Sequence, residues 1–437
     1  MASDQPCGAS PVHAARDRAR IITRFAGSVL AALGLVLVLH HLAEFVGVLR
    51  EGVGRAALTL DFRTYMCGSA DLVHPYDICH NGEFVSGFVY PPPSLIYFHG
   101  LSRLPIDAAF LVHTSVSMAA LAWACVLMAK LLPVSRRSAW CALIAGVGIA
   151  PIGTCLAAGQ VNILLMASAV AGVAYASRAA PGRAGLAIAL GFWLKIYPAL
   201  VPALFLTRGK HAAVIATVAA TILIGLAGLA WASPMLYRQY FLELLPVAQG
   251  YTMPGVAYSI AGVAAHIAAG GGAPIQHFVP IPPAIQWLSK AALAGGIVAA
   301  MAHQRLTQDR QPLDSLNVLL CAALVAAPNA WSYHYAMILP VIVAALAREF
   351  ERPTLALPLV IACWLALVVP GWTDAPSPIA SRPILNVPFR ERYALVALAL
   401  MLLTLTRVIG GTRASQLKGA GGQSPCRHPD PVDVAAA

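Results

Sequence analysis

The chain has 437 residues, of which 59% are hydrophobic and 11% charged, against about 25% charged in an average soluble domain. So few charges cannot cover the surface of a soluble protein of this length, which excludes a soluble enzyme, a nucleic-acid-binding protein and a single-span receptor and leaves an all-α polytopic membrane protein. The 29 Lys and Arg against 18 Asp and Glu give a net charge of +11, read here as basic anchors in cytoplasmic loops.

In chain order, residues 1–24 form a polar, basic segment read as cytoplasmic. The apolar run near 25–48 reaches the roughly 20 residues that span a bilayer. It lacks an A-x-A exit and is read as an uncleaved first helix. A loop over about 50–107 follows, far longer than an ordinary connection. Further helices are expected near 108–131, 139–157, 161–177, 211–231, 286–303, 313–327, 334–346, 354–371 and 391–407. Arg136 with Arg137, Arg178 with Arg183 and Arg348 with Arg352 lie between them. Placing these clusters in the cytoplasm fixes the parity and puts the 50–107 loop on the outer face. Two apolar segments are left over. One, between Arg183 and Arg208, is interrupted at Lys195-Ile-Tyr-Pro198 and is expected to be broken or re-entrant. The other, about 256–270, is short enough for a half-helix. The expectation is about ten full spans plus two partial ones, or 10–12 membrane helices, with both termini inside. A domain over 25–407 is then followed by a Gly-, Ser- and Pro-rich tail, 408–437, expected to lack structure.

Residues that a membrane helix does not need collect on the outer side. The first outer loop holds Asp61, Asp71, Asp77 and Glu83 in a chain poor in acids. Asp61 stands apart, because it follows an apolar approach and opens an aromatic-basic run with Arg63 and Tyr65; the other three read as solvated acids. Lys195 lies inside an apolar run, where an ionisable residue is a functional candidate by default. Arg390 and Arg392 begin the last helix on the outer side, against the positive-inside trend. Tyr90 before three prolines, Gln160 and Asn162 in an outer turn, and His334 in the turn before another helix complete the candidates. Cys67 and Cys79 share the outer loop, where an oxidising compartment allows a disulfide between them. The cysteines show no metal-ligand spacing and the chain has no Asp-x-Asp motif, so no metal site is expected.

The runs Asp61-Phe-Arg-Thr-Tyr65, Phe88-Val-Tyr-Pro-Pro-Pro93, Gly159-Gln-Val-Asn162, Leu194-Lys-Ile-Tyr-Pro198 and Ser332-Tyr-His-Tyr335, in this order and with this hydropathy pattern, resemble glycosyltransferase family 87. Its members are integral membrane enzymes dependent on polyprenyl-phosphate sugars, α-1,2-mannosyltransferases among them. The resemblance implies a GT-C fold, a helical bundle with its active site facing away from the cytosol. It also implies a catalytic aspartate in the first outer loop, which falls on Asp61. By analogy, Lys195, Arg390 and Arg392 are expected at the donor phosphate.

The chemistry suits these residue types independently. When an acceptor hydroxyl displaces a lipid phosphate from an anomeric carbon, one carboxylate must take the hydroxyl proton. Fixed positive charge must meet the departing phosphate. No second carboxylate is needed, because no water is activated. No cofactor is expected beyond the polyprenyl-phosphate sugar, itself a substrate, and the partners expected are the bilayer and a glycan or glycolipid acceptor. Two other readings stay open at this point: a transporter or flippase of lipid-linked sugars, and a GT-C-like ligase or polymerase of whole glycans. Against the first, the chain lacks the paired halves with matching broken segments that mark many transporters.

Overall fold

A computed structural model describes residues 11–77, 87–207, 209–272, 277–307, 311–371 and 383–420. The described residues are mostly helical. The chain begins with α1 (Pro11–Glu51), and the long loop after it contributes α2 (Leu60–Ala70) and α3 (Ser94–Ser102). Next come α4 (Ile106–Leu131), α5 (Arg136–Val147), α6 (Ala150–Ala157), α7 (Asn162–Ser177) and α8 (Pro181–Leu194). A 3-10 turn (Tyr197–Leu200) leads to α9 (Pro202–Thr207), α10 (His211–Gly228), α11 (Pro234–Arg238), α12 (Leu245–Gly250) and α13 (Ile260–Ala268). The bundle closes with α14 (Pro283–Leu306), α15 (Pro312–Ala326), a 3-10 segment (Ser332–Ile338), α16 (Leu339–Glu351), α17 (Leu357–Val368), α18 (Pro383–Arg390) and α19 (Arg392–Ala420). The one strand pairing among the described residues joins Tyr251–Thr252 antiparallel to Val279–Pro280.

Burial sorts the helices into two shells. Every residue of α15 is buried, as is most of α7 and α16. Around them lie α1, α4, α10 and α14, whose outward faces carry exposed Leu35, Val36, Val116, Ile222, Leu223 and Val298. A continuous apolar exterior of this kind is what a bilayer covers. Among the described residues, four helices are long and apolar enough to cross it alone: the Thr23–Glu51 part of α1, α4, α10 and α14. The pair α5 and α6, bent by 53°, makes a fifth if counted as one span.

This is fewer full spans than the ten expected, and the cause is physical. At 1.5 Å per residue, the 15-residue α15 and the 12-residue α17 fall short of a hydrocarbon core of about 30 Å. In the central shell the missing length is taken up by irregular backbone, which a membrane protein tolerates where protein surrounds it. The expected helix at 334–346 is thus a 3-10 segment running into α16. The segment expected to be broken is broken: α8 stops at Leu194, and Lys195 is extended with φ −166° and ψ 146°. The half-helix expected near 256–270 is α13. At the end of the chain, α19 continues to Ala420, beyond the boundary expected at 407, while 1–10 and 421–437 lie outside the described residues.

Helix α1 reaches the core across α5 and α6 at a point made by two glycines. A Cβ on Gly34 would lie 2.5 Å from the Ile144 carbonyl oxygen and 2.6 Å from the Ala145 Cα. A Cβ on Gly148 would lie 2.7 Å from the Gly34 carbonyl oxygen. These neighbours are backbone and cannot rotate away. Gly34→Leu is therefore expected to lower stability by about 1–3 kcal/mol, the usual cost of overpacking. Gly47→Leu, on the same helix with nothing within 4 Å of the added carbon, should cost much less. Thermal unfolding of the detergent-purified variants checks this; equal losses at both positions would show that the crossing does not require the absent side chain.

Candidate active site

The site begins with Asp61 in the first turn of α2. Gln160 reaches it from the turn between α6 and α7, its Nε2 donating to Asp61 Oδ2 at 2.6 Å and to the Tyr65 hydroxyl at 2.8 Å. The Tyr90 hydroxyl donates to Gln160 Oε1 at 3.3 Å. The amide is thus held from both ends, which fixes its orientation. Asp61 and Tyr65 are four residues apart and share a helix face. Gln160 is delivered by Gly159, whose φ of +63° is left-handed backbone that favours glycine. A Cβ there would also strike the Phe62 ring at 2.7 Å. Tyr90 is anchored by the Tyr76 hydroxyl, which donates to its carbonyl at 2.9 Å, and by stacking on Phe98 with 5.1 Å between ring centroids.

A second part of the site comes from the broken helix and the 3-10 segment. The extended residue after α8 turns Lys195 inward, with Nζ 2.7 Å from His334 Nε2. Nζ also lies 5.9 Å from the ring centroids of both Tyr90 and Tyr197. The Trp331 N–H donates to His334 Nδ1 at 3.0 Å, which orients the ring. Lys195 interacts electrostatically with Asp61, and Tyr333 hydrogen-bonds the same carboxylate. Enclosure by these groups pushes the Asp61 carboxyl above its ordinary range, against the lowering effect of the hydrogen bonds from Tyr333 and Gln160.

Six of the expected residues therefore converge: Asp61, Tyr65, Tyr90, Gln160, Lys195 and His334. Tyr333 and Tyr197 join them without having been singled out in the sequence. Their one signal there is adjacency to His334 and Lys195 within the quoted runs.

Other expected residues are placed elsewhere. Arg63 points away along α2 and donates to the Gly54 carbonyl at 2.7 Å. Asn162 is fully buried at the start of α7, and neither amide atom has a hydrogen-bond partner among the described residues. Arg392 donates to the carbonyls of Phe389 (2.7 Å), Val369 (3.2 Å) and Pro370 and lies over the Phe389 and Tyr393 rings. Arg390 is buried beside it, and Glu391 between them pairs with His266 at 3.1 Å. These groups brace the start of α19, and no contact among the described residues joins Arg390 or Arg392 to Asp61 or Lys195.

Two of the acids read as solvated hold main chain or side chains in place. Asp71 accepts from the Val73 and His74 N–H groups, which hold its carboxyl below the usual range. Asp77 accepts from Gln239 at 2.8 Å. Glu83 lies outside the described residues. Cys67 is disulfide-bonded, and Cys79, the partner expected from the sequence, also lies outside them. Among the described residues no three His, Cys, Asp or Glu side chains are grouped to hold a metal ion.

One carboxylate with a raised pKa, an amide that orients it, and a lysine–histidine pair within an aromatic enclosure can together take a proton from a hydroxyl and receive an anion. Known proteins match much of this chain. A phosphatidylinositol mannoside mannosyltransferase of Mycolicibacterium smegmatis, described as polyprenol-phosphate-mannose-dependent and α-(1-2)-specific, is 25% identical over 368 residues, covering 76% of this chain and 80% of its own. A polyprenol-phosphate-mannose-dependent α-(1-2)-phosphatidylinositol pentamannoside mannosyltransferase of Mycobacterium tuberculosis is 26% identical over 305 residues, covering 65% of each chain. The profile of glycosyltransferase family 87 matches residues 88–328, more than half of the sequence and inclusive of Tyr90, Gln160 and Lys195. This multi-pass membrane protein therefore belongs to glycosyltransferase family 87.

Proposed function

We propose that the protein transfers mannose from a polyprenyl-phosphate donor to a hydroxyl of a glycan or glycolipid acceptor, at the outer face of the plasma membrane and with inversion at the anomeric carbon. Both termini lie in the cytoplasm in this reading. The observation that carries it is the meeting of a single carboxylate, Asp61, with the Lys195–His334 pair in one enclosed site. The donor and sugar follow from the relatives, which are described as polyprenol-phosphate-mannose-dependent mannosyltransferases.

In this mechanism Asp61 takes the proton of the acceptor hydroxyl as that oxygen attacks the anomeric carbon. Gln160 and Tyr333 hold the carboxylate in the direction of attack. The bond from the anomeric carbon to the phosphate oxygen breaks on the opposite face, and Lys195 with His334 meets the departing phosphate. A β-linked donor then yields an α-linked product. Tyr65, Tyr90 and Tyr197 exclude water, which would otherwise compete as a nucleophile. Arg390 and Arg392 have no part in this step.

Asp61→Asn keeps the shape and removes the proton acceptor. Transfer from polyprenyl-phosphate mannose should fall by about 10²–10⁴, the usual worth of a placed general base, with donor binding largely retained. Asp71→Asn and Asp77→Asn should retain most activity. An Asp61→Asn enzyme at wild-type rate would remove Asp61 as the base.

The pH dependence has a definite sign. The base acts when deprotonated, so kcat/KM rises with pH through the pKa of Asp61 in the free enzyme. Because that pKa is raised, the acid limb should lie above the ordinary aspartate value of about 3.9. It should also disappear in Asp61→Asn. A wild-type limb at or below that value would contradict the assignment.

Sidedness is tested by thiol labelling in intact cells lacking other reactive cysteines. Val73→Cys, exposed in the first outer loop, should react with a membrane-impermeant reagent, whereas Arg137→Cys should react only after permeabilisation. The reverse pattern would place the site on the cytoplasmic face.

A further inference from the structure

Lys195 and His334 come from segments far apart in sequence, and their contact is a nitrogen–nitrogen distance of 2.7 Å. A hydrogen bond of that length has one proton between its two atoms. The other ring nitrogen decides whose proton it is. The Trp331 N–H donates to His334 Nδ1 at 3.0 Å, so Nδ1 presents a lone pair and carries no proton. A neutral imidazole has one proton, which must then be on Nε2, directed at Lys195. An ammonium group has three donors and no acceptor, so it cannot receive that proton. Only an uncharged amine, with its lone pair turned to Nε2–H, completes both hydrogen bonds.

We propose that Lys195 is held as a neutral amine in the resting enzyme and is the final acceptor of the proton released by the acceptor hydroxyl. The inference rests on the proposed reading of Asp61 as base and of Lys195 at the donor phosphate. The groups facing the amine are Asp61 from α2, Tyr90 before α3, Cys155 from α6, Tyr197 from its own broken segment, and His334. Asp61 is the carboxylate among them.

The charges balance through the reaction. The donor is a phosphodiester with one negative charge. As the acceptor oxygen bonds to the anomeric carbon, its O–H bond breaks and the proton goes to Asp61. The bond from that carbon to the phosphate oxygen breaks, and its electron pair stays with the phosphate, which leaves as a monoester with two negative charges. The proton then passes from Asp61 to the Lys195 amine. Positive charge thus appears beside the phosphate in the same cycle in which the second negative charge appears there, and the resting site does not need to bury an unpaired cation. Once protonated, Lys195 can no longer accept from Nε2–H. Both groups are then free to donate to the product phosphate, and Asp61 is restored as the base.

Calorimetry of product binding counts the proton directly. Full-length protein in detergent is titrated with a short-chain polyprenyl monophosphate at about pH 8, in two buffers of different ionisation enthalpy. Wild type should take up about one proton per phosphate bound, the linkage signature of a group that becomes charged on binding. Lys195→Arg supplies a permanent charge and should bind with no uptake; Lys195→Met, which cannot take a proton, should likewise show none. Wild-type binding without proton uptake overturns the inference and leaves the phosphate site standing. Uptake that persists in Lys195→Arg or Lys195→Met assigns the proton elsewhere and also overturns it. Absence of binding by wild type removes the phosphate site and the inference together.

Discussion

Inside hydrocarbon no water satisfies a peptide group, so every stretch of this chain that is not helical must be walled in by stretches that are. The rest of the architecture depends on that constraint. The chain breaks its helices at Lys195 and along Ser332–Ile338, where side chains must point sideways into a shared space. It packs the broken segments against α6, α7, α9 and α15 and keeps the long, apolar α4, α10 and α14 in the outer shell. The short central helices are a consequence of the same arrangement, since their missing turns are the material from which the site is built.

Within that enclosure, the polar groups around Asp61 and Lys195 are tied together in hydrogen-bonded sets, in contrast to Asn162 nearby. Gln160 donates to Asp61 and Tyr65 and accepts from Tyr90, and Trp331 orients His334 for Lys195. An unsatisfied polar group costs about 1–3 kcal/mol when buried, so each of these bonds also specifies a conformation. The left-handed turn at Gly159 shows how local this control is. One residue without a side chain sets the direction of the amide, and the amide sets the direction of the carboxylate.

Hydropathy locates helices and their breaks along the chain, and in that coordinate the sequence reads well. The long helices, the break at Lys195 and the half-helix at Ile260–Ala268 lie where expected, and the motifs holding Asp61, Tyr90, Gln160 and His334 do converge. The same information says nothing about position around the bundle. Arg390 and Arg392 share the level of the site in the sequence reading, yet packing sets Arg392 against Phe389, Tyr393 and the carbonyls after α17 and buries Arg390 beside it. Tyr333 and Tyr197 were passed over for the same reason. The sequence does not say which way a phenol near a basic residue faces, and only the fold reveals that these two face a carboxylate and an amine.

At the end of the bundle remote from the site, Arg348 pairs with Asp314 and Arg407 with Glu349, each at 2.5 Å with the carboxylate fully enclosed. These two pairs tie α15, α16 and α19 together. Removing one member of such a pair commonly costs about 3–5 kcal/mol, because the other charge is left stranded. They act as register pins: a slip of α16 by a single residue would move it about 1.5 Å along its axis and unseat both pairs at once. The 3-10 segment that carries Tyr333 and His334 is the direct N-terminal continuation of α16. The height of His334 opposite Lys195 is therefore gauged from the far side of the bundle, as a bolt at one end of a rod fixes the position of its tip.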